Sequence, residues 1–180
     1  KDGCFSGSAI ELDGGKQLLL YTGVQKLADK EGNVSEFQTQ CVAIGDGRDY
    51  VKNKNNPVID SQMLPEGASR VDFRDPKIWK EQDSFYCVAA SRTDDGDGQL
   101  LLFSSKDAIS WQFDKILVKN NHRFGTMWEC PDYFELDGKK VVITSPMEML
   151  PEEYEFRNGN GTLCLIGHST EEGTFEYENF

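Results

Sequence analysis

Groups of four short strand-like runs recur three times along this 180-residue chain. The first opens at Phe5 with FSGSAIEL and continues through QLLLYTG, FQTQCVAI and a short YVKN. The second opens at Phe73 (FRDPKIWK, SFYCVAAS, QLLLFSS, WQFDKILV), and the third at Trp128 (WECPDYFEL, KKVVITSP, TLCLIGHS, FEYENF). Each begins with an aromatic residue followed by polar ones and moves on to a more apolar strand. Turn-forming clusters separate the runs, among them Asp13-Gly14-Gly15-Lys16, Asp94-Asp95-Gly96-Asp97-Gly98 and Asn158-Gly159-Asn160-Gly161. No segment sustains helical periodicity, so the chain reads as all-β.

Four-stranded units repeating every ~40–55 residues are the pattern of propeller blades, with a β-sandwich as the competing architecture. The first strand of a blade lines the central channel. Polar residues at its start, here Ser6, Arg74-Asp75 and Glu129, would then face one axial cavity. Residues 26–36 and 60–71 read as long polar connections overhanging it.

Composition narrows the partners. With 19 basic and 31 acidic residues the net charge is −12, which argues against nucleic acid. Nothing approaches the ~20 consecutive apolar residues of a membrane-spanning helix. Cys4, Cys41, Cys87, Cys130 and Cys164 are scattered and form no CxxC pair, so neither a metal site nor a disulfide framework is expected. Free thiols, and an opening Lys1-Asp2-Gly3 without an apolar leader, point to a cytoplasmic protein. The run Asp94–Gly98 lacks the closing Glu of a calcium loop and is read as a solvated turn. His122-Arg123, just ahead of the third unit, could reach the rim of the cavity or a substrate phosphate.

Two carboxyl groups stand out. Glu129 lies between Trp128 and Cys130-Pro131, apolar neighbours that would desolvate it and keep it protonated, as a general acid requires. Asp75 follows Arg74, and Pro76 would hold it extended and ionised, ready to accept hydrogen bonds from sugar hydroxyls. Two carboxyls with opposed settings in one cavity suggest glycoside chemistry. The competing reading makes Arg74, Asp75 and Glu129 structural ion-pair or turn residues.

Phe5-Ser6-Gly7-Ser8-Ala9, Arg74-Asp75-Pro76 and Trp128-Glu129-Cys130-Pro131-Asp132 occur in the order and approximate spacing of glycoside hydrolase family 32. The sequence resembles that family of invertases, sucrose-6-phosphate hydrolases, levanases and inulinases from Phe5 to about Phe180. The resemblance implies part of a five-bladed β-propeller, about three blades of it with the ring incomplete. It implies cleavage of β-fructosides with retention, through a fructosyl-enzyme intermediate and without a cofactor. Glu129 would be the general acid/base and Asp75 the transition-state stabiliser. Arg74, Phe5 and Ser6 would bind fructose, Trp128 would form part of the wall, and Cys130 would tune Glu129. The small carbohydrate substrate would be a β-fructoside, with a non-catalytic sugar-binding propeller or a fructosyltransferase as alternatives.

One departure matters. The family's nucleophile is an Asp in a motif resembling WMNDPNG, and no Asn-Asp-Pro-Asn-Gly run occurs among these residues. Residues 1–180 are therefore expected to be a partial catalytic propeller domain, an internal fragment without the first blade and the C-terminal β-sandwich. Such a piece would be inactive alone, and its exposed blade edges would favour self-association.

Overall fold

A computed structural model describes residues 2–180. Among the described residues there are twelve strands in three antiparallel sheets, and no helix. Blade 1 comprises β1 (Gly3–Leu12), β2 (Lys16–Ala28), β3 (Val34–Gly45) and β4 (Tyr50–Lys52). Blade 2 comprises β5 (Ala68–Glu81), β6 (Ser84–Thr93), β7 (Gly98–Ser105) and β8 (Trp111–Lys119). Blade 3 comprises β9 (Met127–Leu136), β10 (Lys139–Met147), β11 (Leu163–Ser169) and β12 (Phe175–Asn179). Within each blade consecutive strands pair in order, an up-and-down meander. The three units read from the sequence are thus the three sheets.

Blade 2 lies between the other two, and alternation along its strands shows why. On β6 and β7, Cys87, Ala89, Leu101 and Phe103 pack into a core shared with Leu18, Leu20 and Val42 of blade 1. Their neighbours Val88, Ala90 and Leu100 pack into a second core with Val142, Leu163 and Leu165 of blade 3. A strand with period-two side chains and two covered faces reads as a continuous apolar run, hence FYCVAA and QLLLF.

Residues 26–36 depart from the expected loop. β2 and β3 stay paired from Gln17↔Gly45 out to Ala28↔Val34. The carboxylate of Asp29 closes the tip by accepting the backbone N–H groups of Glu31 and Asn33, each at 2.9 Å. The extension is polar because it projects beyond the core: Lys26 and Glu36 pair across it at 3.1 Å in the open. Part of the second expected connection is also strand, since β5 begins at Ala68.

Candidate active site

The innermost strand of every blade slips register within its polar motif, and β5 slips a second time between Ala68 and Phe73. On β1 the motif slip falls between Cys4 and Gly7, on β5 between Arg74 and Lys77, and on β9 between Glu129 and Asp132. In each motif two residues oppose one: Phe5-Ser6 opposite Thr22, Asp75-Pro76 opposite Ala89, and Cys130-Pro131 opposite Thr144. Such bulges kink a strand and re-aim its side chains. Asp75 and Cys130 both take left-handed backbone conformations, with φ of 58° and 48°. The expectation that Pro76 keeps Asp75 extended is therefore wrong. The bulge has removed the ladder partner of Asp75 N–H, and the hydroxyl of Thr22 on the next blade accepts that bond at 2.9 Å. A sparsely populated backbone state persists where its surroundings over-determine it.

The kinks bring the three clusters together. Phe5 and Ser6 from blade 1, Arg74 and Asp75 from blade 2, and Glu129 and Cys130 from blade 3 line one cavity of about 480 Å³. Asp75 is 6% exposed, and its Oδ2 accepts the backbone N–H of Cys130 at 3.0 Å and the thiol at 3.6 Å. Arg74 binds Glu129 Oε1 through Nε at 2.9 Å, and reaches Asp72 Oδ1 at 2.8 Å and Gln38 Oε1 at 3.2 Å through Nη1. Burial works against the guanidinium charge, but the two carboxylates outweigh it and raise the Arg74 pKa. Glu129 retains a side chain 33% exposed to the cavity.

The Glycosyl hydrolases family 32 N-terminal domain matches residues 1–179. The chain belongs to family 32. The sucrose-6-phosphate hydrolase of Escherichia coli is 38% identical over 159 residues, covering 88% of this chain and 32% of the relative. A raffinose invertase, also from Escherichia coli, is 36% identical over 168 residues, covering 93% and 34%. Among solved structures, the Bombyx mori GH32 beta-fructofuranosidase superposes with a TM-score of 0.86 at 35% identity, over 98% of this chain and 37% of that one. A mutant of the same silkworm enzyme has been solved in complex with sucrose. This chain spans about a third of the length of the curated relatives it matches.

Within the family 32 frame three expected placements change. Trp128 is not a wall of the cavity. It is fully buried in the core between blades 2 and 3, its indole N–H donating to Phe124 O at 2.9 Å. Adjacent strand residues face opposite ways, so Glu129 enters the cavity because Trp128 turns from it. For the same reason Trp128 does not desolvate Glu129, whose partner is Arg74. The thiol of Cys130 addresses Asp75, not Glu129. His122-Arg123 lies outside the cavity: Arg123 sits over the rings of Phe124 and Phe180 at 4.8 and 4.5 Å, in a groove between β8 and β12.

Family 32 motifs did not disclose the side chains that hold β5 in place. Gln40, fully buried, donates through Nε2 to Phe73 O at 2.9 Å, and Gln38 Oε1 accepts Phe73 N–H at 3.1 Å. Two glutamines of β3 thus serve both backbone groups of the residue before Arg74, as a paired strand would. Thr22 donates to Gln40 Oε1 at 2.9 Å while accepting from Asp75. The legible signal is the alternation of Gln38 and Gln40 in FQTQCVAI, an otherwise apolar strand.

The thiol contact gives a direct test. Burial first, and then the Asp75 carboxylate, raise the Cys130 pKa. Less thiolate at a given pH means slower alkylation. Cys130 and Cys164 are both exposed, and iodoacetamide at pH 8, with peptide mass mapping, is expected to label Cys130 the more slowly. Asp75→Asn should speed labelling of Cys130 and leave Cys164 unchanged; equal rates in both proteins would remove Asp75 from the thiol's surroundings.

Proposed function

We propose that this cavity is the fructosyl-binding part of a retaining β-fructosidase site. The observation that carries the reading is the pair of contacts between blades, Arg74 to Glu129 and Cys130 to Asp75, which join the family motifs around one sugar-sized hollow. Glu129 protonates the glycosidic oxygen as its bond to the fructose anomeric carbon breaks, and an Asp nucleophile bonds to that carbon. Glu129, now a carboxylate, takes a proton from water as water displaces the enzyme. Asp75 accepts hydrogen bonds from fructose hydroxyls and opposes the positive charge that develops on the ring. Arg74 holds Glu129 in register, and Phe5 and Ser6 line the sugar's subsite. The substrate is a neutral or phosphorylated β-fructoside such as sucrose or sucrose 6-phosphate.

These residues carry two of the three carboxyl roles. Residues 1–180 alone are expected to release no fructose from sucrose or sucrose 6-phosphate. A chimera in which they replace the matching third of the Escherichia coli sucrose-6-phosphate hydrolase regains the nucleophile and is expected to release it. Turnover by the isolated residues, or a folded chimera without activity, would sink the reading.

A further inference from the structure

The three tryptophans are not equivalent. Trp111 and Trp128 are core residues whose indole N–H groups donate to the backbone carbonyls of Ala108 and Phe124, at 3.0 and 2.9 Å. Trp79, on β5, is partly exposed. Its ring stacks on Tyr86 at 5.7 Å with planes 23° apart and meets the edge of Tyr133 of blade 3 at 5.9 Å. Among the described residues, neither the Trp79 indole N–H nor the Tyr86 hydroxyl makes a hydrogen bond to a protein group. Buried rings of this kind find partners, and rings with a spare polar tip at a surface are typical of recognition sites.

Trp79 heads a row that crosses the whole of blade 2. The register places Trp79 beside Tyr86, Tyr86 beside Ser104, and Ser104 beside Gln112, all on the face toward blade 3. Two hollows adjoin this row, about 540 Å³ beside Trp79 and about 660 Å³ beside Tyr86. The hollow at Trp79 is rimmed by three cations, Lys77, Lys80 and Lys140, and three carboxylates, Glu81, Asp132 and Glu135. Lys77–Asp132 and Lys140–Glu135 already pair, at 2.8 and 3.0 Å. A balanced rim attracts neither an anion nor a cation, and its groups can both donate to and accept from hydroxyls. The hollow shares no residue with the catalytic cavity, and Trp79 lies roughly 13 Å along β5 from Asp75.

We propose that this cleft is a second saccharide site, which takes the pyranose ring of a neutral oligosaccharide. The apolar C–H face of the sugar lies on Trp79, whose ring is backed by Tyr86. The sugar's hydroxyls meet the free indole N–H and the charged groups of the rim, Lys80 and Glu81 among them. The proposal draws nothing from the fructosidase reading.

Maltotriose tests it, because it is all pyranose and offers no fructose to the catalytic cavity. Saturation-transfer difference NMR on the chain is expected to show saturable transfer to the pyranose C–H protons in the millimolar range, unaffected by added fructose. Trp79→Ala should weaken binding about tenfold or more, and Glu129→Gln should leave it intact. Tyr86→Ala provides the same test if Trp79→Ala does not fold. No saturable transfer to the unmodified chain, undiminished transfer to a folded variant, or displacement by fructose would overturn the proposal. So would a Trp79→Ala chain that loses self-association in sedimentation yet binds maltotriose as before, since the cleft would then be a contact between copies.

Discussion

In the chimera that supplies the nucleophile, Glu129→Gln is expected to lower kcat by about 10²- to 10⁴-fold on sucrose, with KM changed little. That loss corresponds to ~3–5 kcal/mol of transition-state stabilisation. The substitution is chosen for what it leaves in place. Glu129 Oε1 accepts the Nε–H of Arg74 at 2.9 Å, and a glutamine carbonyl oxygen can accept the same bond. The backbone is held independently, because Thr144 donates to Glu129 O at 3.0 Å. Glutamine therefore keeps shape and anchor while removing the transferable proton. A structural ion pair predicts activity within a few-fold of the parent and a lowered melting temperature. An acid/base role predicts the reverse. Leaving-group dependence separates them further: an aryl fructoside, whose phenolate leaves without protonation, should recover much of the first step in the variant, while sucrose should not. Steady-state kinetics on both substrates, beside a thermal melt, decide the matter.

How far the sequence discloses this arrangement depends on whether local rules govern each element. The three blades are legible because period-two alternation and Gly/Asp turns are local, and the strands follow them closely. The β2–β3 extension is not, since a hairpin projecting into water needs no apolar face and its residues look like a loop. The cavity is legible as a set of residues but not as a geometry. Glu129 and Arg74 project as strand alternation requires, whereas Asp75 and Cys130 depend on bulges that residue type does not announce. A proline follows each; Pro76 suggests extended backbone at Asp75, where the structure has φ of 58°. Gln38, Gln40 and Thr22 act across an interface between blades. Their partners lie 33–53 residues away in sequence, beyond the reach of any motif. Proximity to Glu129 in sequence does not put Trp128 in the cavity, because on a strand nearest neighbours are the residues that diverge.

That divergence predicts the largest loss of stability from a single substitution. Trp128→Ala should destabilise the chain by about 3–5 kcal/mol, lowering the melting temperature by roughly 6–20 °C for a protein of this size. Trp128 is fully buried where Val88, Ala90 and Leu100 of blade 2 meet Val142 and Leu165 of blade 3. The fit is close on the blade 2 side: a Cβ built on Gly98 would stand 3.0 Å from the indole Cδ1, so a glycine there lets the ring approach the strand. Removing the ring opens a cavity between two rigid sheets that cannot collapse far, because each is tied to its own hairpins. It also strands Phe124 O, which loses the indole donor at 2.9 Å. Trp128→Phe separates the two contributions, restoring most of the volume but not the bond, and should cost about 1–2 kcal/mol. A tryptophan in the wall of the sugar cavity would behave otherwise, with unfolding midpoints near the parent and the defect confined to sugar binding. Urea unfolding of the three proteins distinguishes a pillar between blades from a surface of the site. A parent-like midpoint for Trp128→Ala would return the residue to the cavity and take the packing of blade 3 against blade 2 with it.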